Sequence, residues 1–223
     1  MRALIVFVLA VTVLTGGCAG QQGAAPSGPR VPATSIAAGS PAVNAPTFTD
    51  GDDFAIRFPA DTASGLQLPG DVDLVVKHDG DSVVFASKQT PQSDAGAFTM
   101  ELDSHMCPTQ FQVNNTLTRF RPCDQSANFP LTIGKTWTVI YAASTAGGEF
   151  IPLTGTGTVV GVERVTVPAG TYEAYRIDSR HGPSDRTTLW YAPEPVGFFV
   201  KAESSSPQEL NFALISYKRT TGH

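Results

Sequence analysis

Three carboxylate clusters and four histidines are the side chains whose types and spacing suit acid–base or metal chemistry. The clusters are Asp50-Gly51-Asp52-Asp53, Asp71 with Asp73, and Asp79 with Asp81; the histidines are His78, His105, His181 and His223. Residues at i and i+2 of a strand point to one face, so Asp71 and Asp73 can share a cation or divide the roles of general acid and general base. The same residues also suit turns and strand ends, where an aspartate accepts hydrogen bonds from nearby backbone N–H groups. Nucleophilic catalysis needs a Ser or Cys held by a base and an orienting group, and no Gly-x-Ser-x-Gly elbow is present. His105 and His181 are the two available bases, yet His181 reads as a turn residue and nothing in the spacing brings either to a nucleophile. The chain therefore points away from an enzyme: no catalytic residue, cofactor or metal is assigned. Trp190 and Tyr191, beside the proline-rich turn Ala192-Pro193-Glu194-Pro195, are read as exposed aromatics able to stack on a sugar or a peptide, with packing anchors as the alternative.

The cysteines carry more information. Arg2 is followed by an uncharged run, residues 3–15, and then by Leu14-Thr15-Gly16-Gly17-Cys18. A charged start, an apolar core and small residues before a cleavage point make a signal peptide. As a helix the run would reach about 20 Å, against about 30 Å of bilayer hydrocarbon, so it does not read as a permanent span. The stretch resembles the lipobox of bacterial lipoproteins, with Thr15 where that family most often has leucine. The resemblance implies cleavage before Cys18, acylation of its sulfur (diacylglycerol, palmitate) and attachment to a membrane of the cell envelope. Ala19 in place of aspartate implies the outer membrane, facing periplasm or surface, if the host is Gram-negative. With Cys18 acylated, Cys107 and Cys123 remain as an even pair in an oxidising compartment. Their disulfide would close a sixteen-residue separation worth about 3 kcal/mol in the chain-entropy account. The alternative is metal ligation by His105, Cys107 and Cys123, but a lone His-x-Cys lacks the second close-spaced pair of a zinc site.

Three segments follow from these signals: a signal peptide at 1–17, an acylated cysteine and disordered tether at 18–46, and a β-rich domain at 47–223. The tether holds Gly, Ala, Pro, Ser and Gln with one charge, Arg30, and as a flexible coil would span about 30 Å. The formal charge of −5 excludes a nucleic-acid partner, which needs a basic surface. Residues 47–130 hold 12 acidic and 5 basic side chains, whereas residues 131–223 hold 8 of each. If clustered, the acidic excess of the first half would attract cations or basic surfaces and repel anionic headgroups.

The elements that must position these residues are strands. Phe54, Ile56 and Phe58 alternate with polar or small neighbours, as do Phe98, Met100 and Leu102. Residues 71–77 and 81–88 flank His78-Asp79-Gly80, and residues 110–113 and 116–121 flank Asn114-Asn115, both hairpin signals. Residues 61–70 read as an irregular loop. Further on, Gly147-Gly148, Pro168-Ala169-Gly170 and His181-Gly182-Pro183 mark turns between runs rich in threonine and aromatics, and the last run is residues 210–217. No segment sustains a helical period. The expected fold is all-β and antiparallel, about ten to twelve strands in a sandwich or a strongly curled open barrel.

Phe129-Pro130-Leu131, Gly134-Lys135-Thr136-Trp137, Val165-Thr166-Val167-Pro168-Ala169-Gly170-Thr171-Tyr172, Trp190-Tyr191-Ala192-Pro193 and Val196-Gly197 together resemble a family of secreted bacterial β-domains of unknown function. The resemblance covers residues 129–204 and implies an antiparallel β fold with no established activity. The sequence thus indicates an envelope lipoprotein with a non-catalytic binding domain, whose partner is an envelope protein, a glycan or a lipid. The alternatives are a hydrolase of envelope polymers working through Asp71 and Asp73, and a lipid-binding half-barrel.

Overall fold

The computed structural model describes residues 41–59, 70–88, 97–181, 185–205 and 211–220. The signal peptide 1–17, Cys18, most of the tether 18–46, most of the 61–70 loop, Gly182-Pro183 and His223 lie outside the described residues.

Among the described residues twelve antiparallel strands follow in order: β1 (Asp53–Arg57), β2 (Asp71–Asp79), β3 (Ser82–Ser87), β4 (Phe98–Leu102), β5 (Pro108–Val113), β6 (Thr116–Arg121), β7 (Thr136–Thr145), β8 (Ile151–Val167), β9 (Gly170–His181), β10 (Asp185–Ala192), β11 (Phe198–Ser204) and β12 (Phe212–Lys218). Each strand pairs with its neighbour in sequence, and β1 pairs with β12, so the sheet closes into an up-and-down barrel. The all-β antiparallel expectation holds at the upper end of its strand count. The barrel is closed, however, rather than a sandwich or an open sheet. Closure comes from the pairs Phe54↔Tyr217 and Arg57↔Ala213, which join the two ends of the domain and leave no unpaired edge.

Alternation fixes which face looks inward. In β2, Val72, Leu74 and Val76 are buried while Asp71, Asp73 and Lys77 are exposed. Phe54 and Ile56 of β1, Phe58 just after it, Phe85 of β3 and Phe98 of β4 belong to the same buried cluster as this row. Apolar residues inside and charges outside are the opposite of a membrane-spanning barrel, whose apolar band faces lipid. Burying such a row contributes about 1.5–3 kcal/mol for each large side chain, an upper estimate against a compact unfolded chain.

The predicted hairpins form with small shifts. Asp79 pairs with Ser82, so Gly80-Asp81 is the two-residue loop, and Gly80 takes a φ of 60° at its first position. Val113 pairs with Thr116 across Asn114-Asn115, where Asn114 has a φ of 53°.

The sheet is uneven. β8 and β9 share twelve paired positions, from Gly155↔His181 to Val167↔Gly170, with a bulge at Val160. β11 and β12 share two, Lys201↔Ala213 and Ala202↔Phe212. The tip of the β8–β9 hairpin reaches past β10, whose pairing with β9 stops at Tyr175↔Tyr191. That tip carries Val165, Val167 and Ala174 into the same buried cluster as Val200 and Leu214, and the N–H of Ala169 donates to the carbonyl of Leu214 at 3.1 Å. The thinly laddered seam is thus braced by side-chain packing.

One end of the barrel is plugged by aromatics. Phe48 lies 5.9 Å from Phe54 and 5.0 Å from Phe85, and Phe198 stacks on Phe85 at 5.1 Å, all as ring-centroid distances. The segment leading to Phe48 is pinned by a bridge between Val43 and Leu131. Below the plug, Asp52 is fully buried and ion-paired with Arg219 at 3.0 Å. Arg219 also donates to the carbonyls of Val196, at 2.7 Å, and Thr47, at 2.5 Å.

Candidate functional site

Closing twelve strands leaves more interior than the side chains fill. A cavity of about 370 Å³ remains, within the size range of small-molecule sites. Its apolar wall comes from β1, β2, β4 and β5 and the residue after β1: Ile56, Phe58, Leu74, Phe98, Met100 and Phe111. The aromatic plug, through Phe48 and Phe198, forms its floor. The facing wall, from β7, β9 and β10, carries Tyr141, Ala143, His181, Thr187, Leu189 and Tyr191. Polar groups are thus confined to one side of a mostly hydrocarbon space.

The polar group fixed most directly by covalent structure is Asp124. Cys107 and Cys123 form a disulfide with a Cα–Cα distance of 5.7 Å, as expected from the cysteine count. The next residue, Asp124, is held by its N–H donating to the carbonyl of Pro108 at 2.7 Å. Its Oδ1 accepts the N–H of Ser126 at 2.9 Å and the Ser126 hydroxyl at 2.5 Å. Burial pushes the Asp124 carboxyl above the ordinary carboxylate range, while the Ser126 donors and the nearby His181 act in the opposite direction.

His181 was expected in a solvated turn. It is the last residue of β9 and only 4% exposed, its ring edge-on to Tyr141 at 5.7 Å. The reason is strand length: β9 runs to His181 before turning, and alternation from the inward Ile177 and Ser179 carries the imidazole inward too. Asp185 pairs with His181 across the β9–β10 ladder and also lines the cavity.

Trp190 and Tyr191 are not exposed, contrary to the sequence expectation. Trp190 is buried, with Lys201 Nζ 4.8 Å from its ring and its indole N–H donating to Glu163 on the overreaching hairpin. Tyr191 is packed edge-on by Phe129 at 5.1 Å and Phe199 at 5.4 Å, and burial pushes its phenol up to about 12. Trp190 is a packing anchor, whereas Tyr191 is part of the cavity wall.

Asp71 and Asp73 do share a face, as the strand spacing requires, but it is the outer one. Asp71 accepts two hydrogen bonds from Arg57, at 2.7 and 2.8 Å, and this guanidinium holds its carboxyl below the ordinary range. A carboxyl so held is ionised at neutral pH and is no general acid. Neither residue lines the cavity. Asp50 pairs with His78 at 2.6 Å on the surface, and Asp52 is the buried structural carboxylate already described. In place of the suggested metal site, Cys107 and Cys123 are joined sulfur to sulfur and His105 is exposed.

The residues quoted for the family resemblance hold the fold near this cavity. Lys135 Nζ donates to Asn128 O and Oδ1, at 2.6 and 2.8 Å, and to Pro130 O at 2.9 Å, gathering the irregular segment between β6 and β7. Trp137 lies over Gly157, where an added Cβ would come within 2.2 Å of its ring, and its indole N–H donates to Gln125 O at 2.8 Å. The Tyr172 hydroxyl closes the Pro168-Ala169 turn by donating to Ala169 O at 2.8 Å.

No protein-family model matches the chain, and no curated protein matches it. Among solved structures it is similar to a candidate exported protein with a YmcC-like fold from Bacteroides fragilis. The two are 12% identical over 80% of this chain and 100% of that one, with a TM-score of 0.40. A likeness this distant is recorded without further weight.

Proposed function

We propose that this protein is a lipid-anchored envelope protein whose barrel binds a small, largely apolar molecule in its interior. The observation that carries the reading is the cavity of about 370 Å³ with an aromatic and aliphatic wall and a one-sided polar strip. A water-filled space would be expected to carry polar groups all round, whereas a hydrocarbon wall with a few oriented polar groups suits a ligand with an apolar body. Of the three partners considered from the sequence, a lipid is the one for which this interior offers room and chemistry. The hydrolase reading has lost the carboxylate pair on which it rested. The anchor rests on the lipobox resemblance at Cys18, and the outer membrane on Ala19; both remain part of the proposal.

The test uses the full chain carrying Cys18→Ala, so that no detergent is needed to keep it in solution. That chain is expected to leave the membrane fraction and to raise the fluorescence of an apolar naphthylamine dye with one saturable site. A chain that stays membrane-bound in high salt contradicts the anchor. A linear, non-saturable dye response contradicts the binding site.

A further inference from the structure

Resting on the ligand-binding reading above, we infer that the cavity selects amphiphiles whose polar end donates hydrogen bonds and bears no negative charge, and that it rejects fatty-acid anions. Among the described residues the cavity wall carries two carboxylates, Asp124 and Asp185, one imidazole, His181, and no lysine or arginine. The hydroxyls of Thr118, Ser126, Tyr141, Thr145, Thr187 and Tyr191 complete the polar strip. A soluble barrel that holds a fatty acid needs a cation or a set of committed donors for the carboxylate, because an anion in a low-dielectric enclosure is costly unless paired. Here the Ser126 N–H and hydroxyl are already directed at Asp124 Oδ1, at 2.9 and 2.5 Å.

Arg180 and Arg186, beside His181 and Asp185 in sequence, are exposed, and two further cations are engaged elsewhere. Arg219 is absent from the cavity lining, lies 5.1 Å from the Phe48 ring and is ion-paired with Asp52 at 3.0 Å. Lys135 is spent on the carbonyls of Asn128 and Pro130. His181 stands within the electrostatic reach of Asp124 and opposite Asp185 in the strand register. The lining therefore offers an incoming anion no lysine or arginine as a partner, and two carboxyls line the same space. An incoming carboxylate would be buried with no lysine or arginine to pair it, while an alcohol or an ammonium group would find carboxyl oxygens to accept its hydrogen bonds.

Three probes with the same chain length separate the outcomes: dodecanol, dodecylamine and laurate, each competing with the naphthylamine dye for the full Cys18→Ala chain near neutral pH. The expected result is displacement by dodecanol and dodecylamine at concentrations at least about tenfold below that of laurate, a difference of about 1.4 kcal/mol. In Asp124→Asn the gap should narrow by about threefold or more, since one of the two carboxyls is replaced by an amide that can donate to an anion. Laurate binding as well as or better than the other two would overturn the inference while leaving the binding site intact. If the dye binds at no saturable site, the ligand-binding reading itself falls, and the selectivity with it. A gap that persists unchanged in Asp124→Asn overturns the assignment of that selectivity to Asp124.

Discussion

At the scale of single residues, burial separates the aspartates that matter from those that merely attract attention. Asp71 and Asp73 stand out in the sequence because they alternate, yet alternation places them opposite the buried Val72 and Leu74 and therefore in water. Asp52 and Asp124 sit in irregular segments with no periodic signal, and both are held inside by contacts from residues distant in the chain. Asp52 accepts hydrogen bonds from the N–H groups of Thr49, at 2.9 Å, and Thr220, at 2.5 Å, and pairs with Arg219. Removing one partner of a buried ion pair leaves the other uncompensated, so Asp52→Ala is predicted to destabilise the fold by about 3–5 kcal/mol in urea unfolding. A loss below about 1 kcal/mol would show that Arg219 finds another partner. Asp124 had one sequence clue, its place directly after a disulfide cysteine, where a covalent tie fixes the backbone. Nothing in the sequence marked that the tie points into a cavity.

At the scale of elements, strands and turns were legible wherever local chemistry decides them. Gly80, Asn114 and the Pro168-Ala169 turn fall where the turn residues placed them, with the first loop shifted by one residue because glycine takes its first position. The end of β9 was not legible: His181-Gly182-Pro183 has turn composition, but strand pairing with Gly155 and Asp185 carries the strand through His181. Burial of Trp190 was also hidden, since it depends on Glu163 and the hairpin tip, far away in sequence. The uneven ladder yields a prediction at this scale. Amide exchange reports the free energy of local opening, and a pair of strands with two paired positions opens more readily than one with twelve. Amides of β12 facing β11 are expected to exchange at least about tenfold faster than those in the middle of β8 and β9. Equal protection would mean that packing of Leu214 and Val200 under the hairpin tip fully replaces the missing ladder.

At the scale of the whole molecule, composition and turn spacing indicated an antiparallel β chain, but closure could not be read from them. The pairing of β1 with β12 joins Phe54 to Tyr217 across most of the domain, and no local rule links residues so far apart. Closure is also what brings rows of inward Phe, Leu and Val around one hollow, and so it creates the site. The central claim, that a ligand occupies this interior, is tested most directly by filling it. Ala143 lies on the cavity wall in β7, and Ala143→Trp adds a side chain of a volume comparable to a small ligand. Calorimetric titration of dodecanol into the full Cys18→Ala chain, with and without Ala143→Trp, should give one molecule bound per chain and at least about tenfold weaker binding in the filled variant, with both chains unfolding at similar temperature. Undiminished binding by a folded Ala143→Trp chain would place the ligand elsewhere and contradict the account.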